Sequence, residues 1–180
     1  MLFTKCRCMI KTSCPLRELT NDNYCDLLPV VLVPNINNKL ELYKGILDQE
    51  ECLFCKPLTY MNRSGPPISK LINFYKISKS KIIIIHDDLD LSIDKIKIKI
   101  GGRNGGHNGL LSIDEAIGNN YKRLRIGIGH PGIKEMVSSY VLEKFSNQDR
   151  KLIDKKITLL TKHFSLIFND HELLLNKLTS

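Results

Sequence analysis

No apolar run in this sequence approaches the ~20 residues that a membrane-spanning helix needs. The opening M-L-F-T-K-C-R-C-M-I lacks the apolar segment and small-residue cleavage site of a signal peptide. No glycine occurs before Gly45, and there are no internal repeats, low-complexity tracts or linkers. These absences argue against a membrane partner or export and predict a cytoplasmic chain. Its 180 residues suffice for one core, so a single domain over 1–180 is expected, with residues 1–35 the least defined part.

Acidic residues are also comparatively scarce. Nineteen Asp and Glu face 27 Lys and Arg, a formal charge of +8. A basic soluble domain gains affinity for polyanions because each neutralised phosphate releases counterions. Compositional bias toward Lys, Ile and Asn is the competing explanation, but the cations cluster. The six cysteines all fall in the first third of the chain, and nothing signals an oxidising compartment. Cys52 and Cys55 could join Cys6 and Cys8 around zinc. However, Glu51–Lys56 reads as a strand, where residues three apart point to opposite faces, so no metal or other cofactor is expected.

What is present centres on Ile82 to Leu111. Four consecutive isoleucines predict a strand covered on both faces, and His86, Asp87 and Asp88 follow where the backbone leaves the sheet. Lys95–Ile100 alternates Lys and Ile, and then a G-G-R-N-G-G-H-N-G loop carries Arg103, Asn104, His107 and Asn108. Upstream, K-L-E-L-Y-K-G-I-L and E-C-L-F-C-K read as a hairpin around Asp48–Gln49. A Pro/Gly-bounded loop, K-P-L-T-Y-M-N-R-S-G-P-P, leads into an amphipathic helix with Pro66 or Pro67 in its first turn. Leu110–Ile117 reads as a short helix ended by Gly118, and Arg123–Gly129 as a strand showing two arginines on one face. Glu135–Leu142, Gln148–Phe168 and Glu172–Leu178 read as helices. Before residue 36 Met1–Phe3 could start a strand, and the apolar Asp26–Val33, interrupted by Pro29, fixes no element. Strands and helices interleave, so the expected class is α/β: a mixed, twisted β-sheet flanked by helices.

The chemistry admits several readings. The glycine loop is neither a P-loop nor a dinucleotide fingerprint, since His107 and Asn108 stand where a Lys-Ser/Thr pair belongs. It could still bind a small nucleotide through its backbone N–H groups. Asn62 and Asn108 could donate to a substrate carbonyl and a developing oxyanion, or could simply cap a turn or helix. Asp87 could orient an imidazole or close a loop. Lys95, Lys97 and Lys99 stand two residues apart, ~6.5–7 Å in a strand, near the spacing of successive phosphates. They could equally be the solvated face of an edge strand.

Five segments together resemble successive motifs of bacterial peptidyl-tRNA hydrolase: K-P-L-T-Y-M-N-R-S-G, H-D-D-L-D-L, G-G-R-N-G-G-H-N-G-L-L-S-I, R-L-R-I-G-I-G-H-P-G and V-S-S-Y-V-L-E-K-F-S. The resemblance runs over residues 36–180 and matches in order and separation. It implies a single-domain, metal-free monomer that cleaves the ester between a stalled peptide and the ribose of its tRNA, so that the tRNA is recycled. Tyr60 and Asn62 would contact the tRNA end or the peptide, with Asn62 near the attacking water. His107 would line the substrate site, and Asn108 would hold the substrate main chain and help the oxyanion. Asp87 would orient and polarise the catalytic histidine. Lys97, Lys99, and Arg123 or Arg125 would grip tRNA phosphates.

One departure matters chemically. The family opens with G-L-G-N-P-G and then T-R-H-N, whose histidine is the general base. Neither occurs here, and no histidine precedes His86. The nearest echo, Thr20-Asn21-Asp22-Asn23, puts Asp22 in its place. A carboxylate of pKa ~4 is a poorer base at neutral pH than an imidazole of ~6.5. Three consequences are open: a diverged or out-of-frame N-terminus with impaired hydrolysis, a non-catalytic tRNA-binding protein, or another base such as His107.

Overall fold

The computed structural model describes residues 7–11, 30–33 and 39–179, with side chains described over 39–179. Seven strands form one sheet in the order β2-β3-β4-β1-β5-β7-β6. They are β1 (Arg7–Lys11), β2 (Val30–Val33), β3 (Leu40–Leu47), β4 (Glu50–Pro57), β5 (Ile82–Asp88), β6 (Ile96–Ile100) and β7 (Lys122–Gly127). Strand β1 runs parallel to both β4 and β5, while β2–β3 and β3–β4 are antiparallel. The sheet is therefore mixed, as expected. Helices are α1 (Gly65–Tyr75), α2 (Asn108–Ile117), α3 (Val137–Tyr140), α4 (Asn147–Lys162), α5 (Leu166–Asn169) and α6 (His171–Thr179). None is long and apolar enough to cross a membrane.

Contacts group the chain into two compact units, 1–13/29–86/99–124 and 14–28/87–98/125–180. In the first, the β3–β4 hairpin turns on Asp48 and Gln49, both with positive φ (48° and 64°), as a two-residue turn matched to strand twist requires. Glu41 faces Lys56 across the pair, with a 3.0 Å ion pair. Ile82, Ile83 and Ile84 are at most 2% exposed, as a strand lying between two others demands. Helix α1 starts with Pro at its first positions and ends on Lys76 in the left-handed region (φ 53°). Its Ile68, Leu71 and Ile72 pack with Leu110, Ile113 and Ile117 of α2. The two helices meet at Gly65, where a Cβ would lie 1.9 Å from Ser112 O.

In the second unit, Ile153 and Leu160 of α4 are buried, with Phe164, Ile167 of α5, and Leu174 and Leu178 of α6. The helix expected over 148–168 is interrupted. Thr158 and Thr161 hydroxyls donate back to the Asp154 and Ile157 carbonyls, and the Phe164 N–H bonds Thr161 O. Such back-bonding competes with the helical ladder and loosens it. The helix expected over 135–142 is a 3₁₀ turn, Lys134–Met136, followed by the single turn of α3.

Within the apolar stretch before residue 36, Val30–Val33 forms the edge strand β2, just after Pro29. Met1–Phe3 and Asp22 lie outside the described residues, and the first described strand is Arg7–Lys11. Cys52 and Cys55 are buried on β4. Burial pushes the Cys55 thiol up to about 12, away from the thiolate that zinc requires. Among the described residues no three His, Cys, Asp or Glu side chains gather to hold a metal; Cys6 is outside them.

Candidate active site

Because β1 runs parallel to β4 and β5, the C-terminal ends of these strands point the same way, the side on which open α/β sheets place ligands. The loop after β4 leaves from that side. It folds into a 3₁₀ turn, Met61–Arg63, secured by Arg63 N–H to Tyr60 O at 2.8 Å. Thr59 Oγ1 donates to Arg63 O (3.0 Å) and Ser64 Oγ to Met61 O (2.9 Å). The turn leaves Tyr60 82% exposed and Asn62 exposed. Tyr60 is the N-cap residue of the turn and Ser64 that of α1, so Asn62 caps neither.

The glycine loop is built on positive φ at Gly101, Gly102, Gly105 and Gly106, values open to glycine at no steric cost. It delivers the chain into α2, which begins at Asn108, two residues earlier than the sequence pattern suggests. The cap is His107: its Nδ1 accepts from Gly109 N–H (3.1 Å) and Leu110 N–H (3.2 Å). Asn108 is thus the first helical residue, exposed, and not the cap. For neither asparagine does the capping alternative hold.

The cap also fixes the imidazole's chemistry. With the Nδ1 lone pair directed at two N–H groups, the neutral ring carries its proton on Nε2 and presents a donor there. With Nδ1 taken up as the cap, this arrangement argues against the open alternative that His107 serves as the base. The ring meets His86 edge to face, centroids 5.4 Å apart. Gly109 brings the two loops together. A Cβ there would fall 2.9 Å from Met61 Cγ, so its absence lets the Asn62 turn pack against the first turn of α2. The loop of Tyr60 and Asn62 and the loop of His107 and Asn108 thus adjoin in the first unit.

Asp87, in the second unit, is 5% exposed at the C-terminal end of β5. Its neighbour Asp88 takes Arg125 Nε at 2.6 Å, and this pairing raises the arginine's pKa further. Arg125 is therefore committed to Asp88 rather than presented to solvent as a phosphate ligand. Arg123 departs further from expectation. It is 3% exposed, donates to Asp114 Oδ1 (3.0 Å) and Oδ2 (3.3 Å), and lies over the Tyr121 ring at 4.9 Å. Its two amino groups also reach the carbonyls of Arg103 and Gly102, each at 3.0 Å. Tyr121 donates to Asp114 at 2.7 Å, and burial followed by that bond raises its phenol pKa. Arg123 is an interior cation.

Lys97 and Lys99 are exposed on β6, the last strand of the sheet. Ile96 and Ile98 are only half-buried and Ile100 is 65% exposed, so the alternation marks an edge strand rather than a core face. Asp114 and Tyr121, the partners of Arg123, were not singled out by the sequence. The one available signal was that Tyr121, the residue before β7, stands two residues from Arg123.

The peptidyl-tRNA hydrolase family profile matches residues 22–180. The chain belongs to this family. A peptidyl-tRNA hydrolase of Rickettsia peacockii is 46% identical over 130 residues, 72% of this chain and 71% of the relative. One from Agrobacterium fabrum is 45% identical over 141 residues, 78% and 59% of the two chains. The solved peptidyl-tRNA hydrolase of Acinetobacter baumannii superposes with a TM-score of 0.84 at 30% identity, over 100% of this chain and 96% of that one. A purine nucleoside phosphorylase from Toxoplasma gondii, at 9% identity and TM-score 0.52, shares the fold alone. Family, α/β fold class and hydrolase class, each expected from the motifs, hold. The family match also begins upstream of the quoted motifs and takes in Asp22.

Proposed function

We propose that this chain hydrolyses peptidyl-tRNA as a cytoplasmic monomer folded as one domain, releasing peptide and reusable tRNA in ribosome rescue. One observation carries the reading. The turn that bears Asn62 packs against the first turn of α2, which bears Asn108 next to its cap His107, and neither asparagine is used as a cap. Water attacks the ester carbonyl carbon, its proton passes to the departing ribose oxygen, and the carbon–oxygen bond to the ribose breaks. Negative charge develops on the carbonyl oxygen. Preorganised donors aimed at that oxygen each supply about a hundred-fold or more in rate. In this reading Asn108 and His107 act as such donors, with Asn62 holding the attacking water.

Tyr60, 82% exposed, offers a ring to the tRNA end or to the peptide. Lys97 and Lys99 on the edge strand meet backbone phosphates. The motif of Asp87 implies a residue that orients and polarises a histidine base, and no histidine precedes His86. Asp22, the nearest echo of that base, is a carboxylate that Asp87 would repel rather than polarise, which favours a slow enzyme. General acid–base catalysis typically contributes ~10²–10⁴-fold, and a mismatched pKa forfeits part of that.

The test is a hydrolysis assay on peptidyl-tRNA beside a tRNA-binding titration at varied salt. Turnover above the spontaneous rate is the expected result. Salt-sensitive binding without turnover would replace this reading with a tRNA-binding protein that no longer hydrolyses. Absence of binding even at low salt would sink both.

A further inference from the structure

We propose that Arg123 is a positioning residue for the loop that presents His107 and Asn108. The catalytic half of this inference rests on the hydrolase reading above; the structural half does not. The crest of the loop has no packing support, since nothing lies within 4 Å of where a Cβ would stand on Gly105 or Gly106. Glycines at Gly101, Gly102, Gly105 and Gly106 give it wide backbone freedom. What restrains it comes from beneath. The guanidinium of Arg123 bonds the successive carbonyls of Gly102 and Arg103, and the Gly101 N–H bonds Tyr121 O.

The same guanidinium takes the Asp114 carboxylate, six residues along α2 from Asn108 and ~9 Å by helical rise. One buried cation thus fastens the entry of the loop and the helix that receives its exit. The Tyr121 ring lies against the guanidinium, and its hydroxyl donates to Asp114. Only the planar, forked arginine head can serve two carbonyls and a carboxylate at once; a lysine ammonium is a single point. With the entry and the helix fixed, the segment from Asn104 to His107 is stretched between two anchored ends. Asn104 completes it: its Oδ1 accepts from Gly106 N–H and its carbonyl from His107 N–H, both at 3.0 Å.

The experiment compares R123K and Y121F with the wild type in three measurements: thermal midpoint, amide hydrogen exchange, and kcat with KM on peptidyl-tRNA. R123K is expected to keep the fold while exchange speeds up at Gly106, His107, Gly109 and Leu110 relative to the amides of β5. A displaced donor costs rate, so kcat falls about ten-fold or more while KM stays within about two-fold. Y121F keeps the ring beneath the guanidinium and every arginine bond. It is expected to lose some thermal stability but neither loop protection nor kcat.

Wild-type exchange and kcat in R123K would overturn the proposal. So would a kcat loss that follows the thermal midpoint equally in both variants, which marks a merely structural residue. Should R123K fail to fold, D114N weakens the same clasp with little change of shape and is read identically. If the wild type itself hydrolyses nothing, the hydrolase reading falls, and the exchange data still decide whether Arg123 holds the loop.

Discussion

The two loops that bring carboxamides to the site are held by opposite means. The Asn62 turn sits where it does because side chains are absent. Gly65 lets α1 meet Ser112, and Gly109 lets Met61 reach α2. The Asn108 loop depends on a side chain that is present, the buried Arg123 and its carboxylate partner. One loop is therefore broken by adding atoms and the other by removing them. Local hydrogen bonds serve both alike, through Ser64 Oγ in the Asn62 turn and through Asn104 in the other loop.

The largest stability loss is expected from Asp114→Ala. It leaves the guanidinium of Arg123 buried without its counter-charge and removes the acceptor of Tyr121. Breaking such a pair costs about 3–5 kcal/mol. In the other loop Thr59→Ala removes one exposed hydrogen bond, about 0.5–1 kcal/mol. Chemical denaturation of both variants checks the contrast, and equal losses would erase it. Gly65→Ala comes next. Its Cβ would stand 1.9 Å from a backbone oxygen and 2.6 Å from a backbone carbon, neither of which swings aside as a side chain would. Overpacking of this kind costs about 3 kcal/mol. For a chain of this size that lowers the thermal midpoint by roughly 6–12 °C. A melt within a degree or two of wild type would show that α1 and α2 are not in register at Gly65.

That contrast also explains what could be read in advance. The β3–β4 hairpin, the isoleucine strand, the proline start of α1 and the glycine end of α2 are written in neighbouring residues. Strand β1 is not: it is a strand because β4 and β5 flank it, and R-C-M-I-K carries no period of its own. A strand paired on both sides in a parallel sheet need not alternate. The site divides the same way. Asn62, His107 and Asn108 could be picked out from their loops, but the capping role of His107 depends on α2 starting at Asn108. Arg123 and Arg125 read as surface cations because their anions are distant in sequence: Asp114 lies nine residues from one and Asp88 thirty-seven from the other. Charge clustering in a sequence does not say which charges are spent inside.

Asn62→Ala and Asn108→Ala test the shared purpose of the two loops. Neither side chain caps an element and both are exposed, so stability should stay within about 0.5 kcal/mol of wild type. Each truncation should lower kcat about a hundred-fold, roughly 2.7 kcal/mol of transition-state stabilisation. A rise in KM at unchanged kcat would assign the amide to binding alone. If only one asparagine matters to kcat, the loops are not equivalent, and the oxyanion belongs to the one that does.

The smallest effect separates the cations of β6 from those of β7. Lys97 and Lys99 are exposed, whereas Arg123 is 3% exposed and Arg125 is tied to Asp88. Lys97→Ala and Lys99→Ala should each reduce the slope of log affinity against log salt by about 0.7–0.9, with no change in kcat. Arg125→Ala should leave that slope nearly unaltered and instead cost stability, because it strands the half-buried carboxylate of Asp88. The decisive quantity is the slope rather than the affinity at one salt concentration, since any loss of folded protein lowers apparent affinity at every salt alike. If Arg125→Ala flattens the slope as much as a lysine does, its bond to Asp88 opens when tRNA binds. Strand β7 would then contribute to the nucleic-acid surface after all.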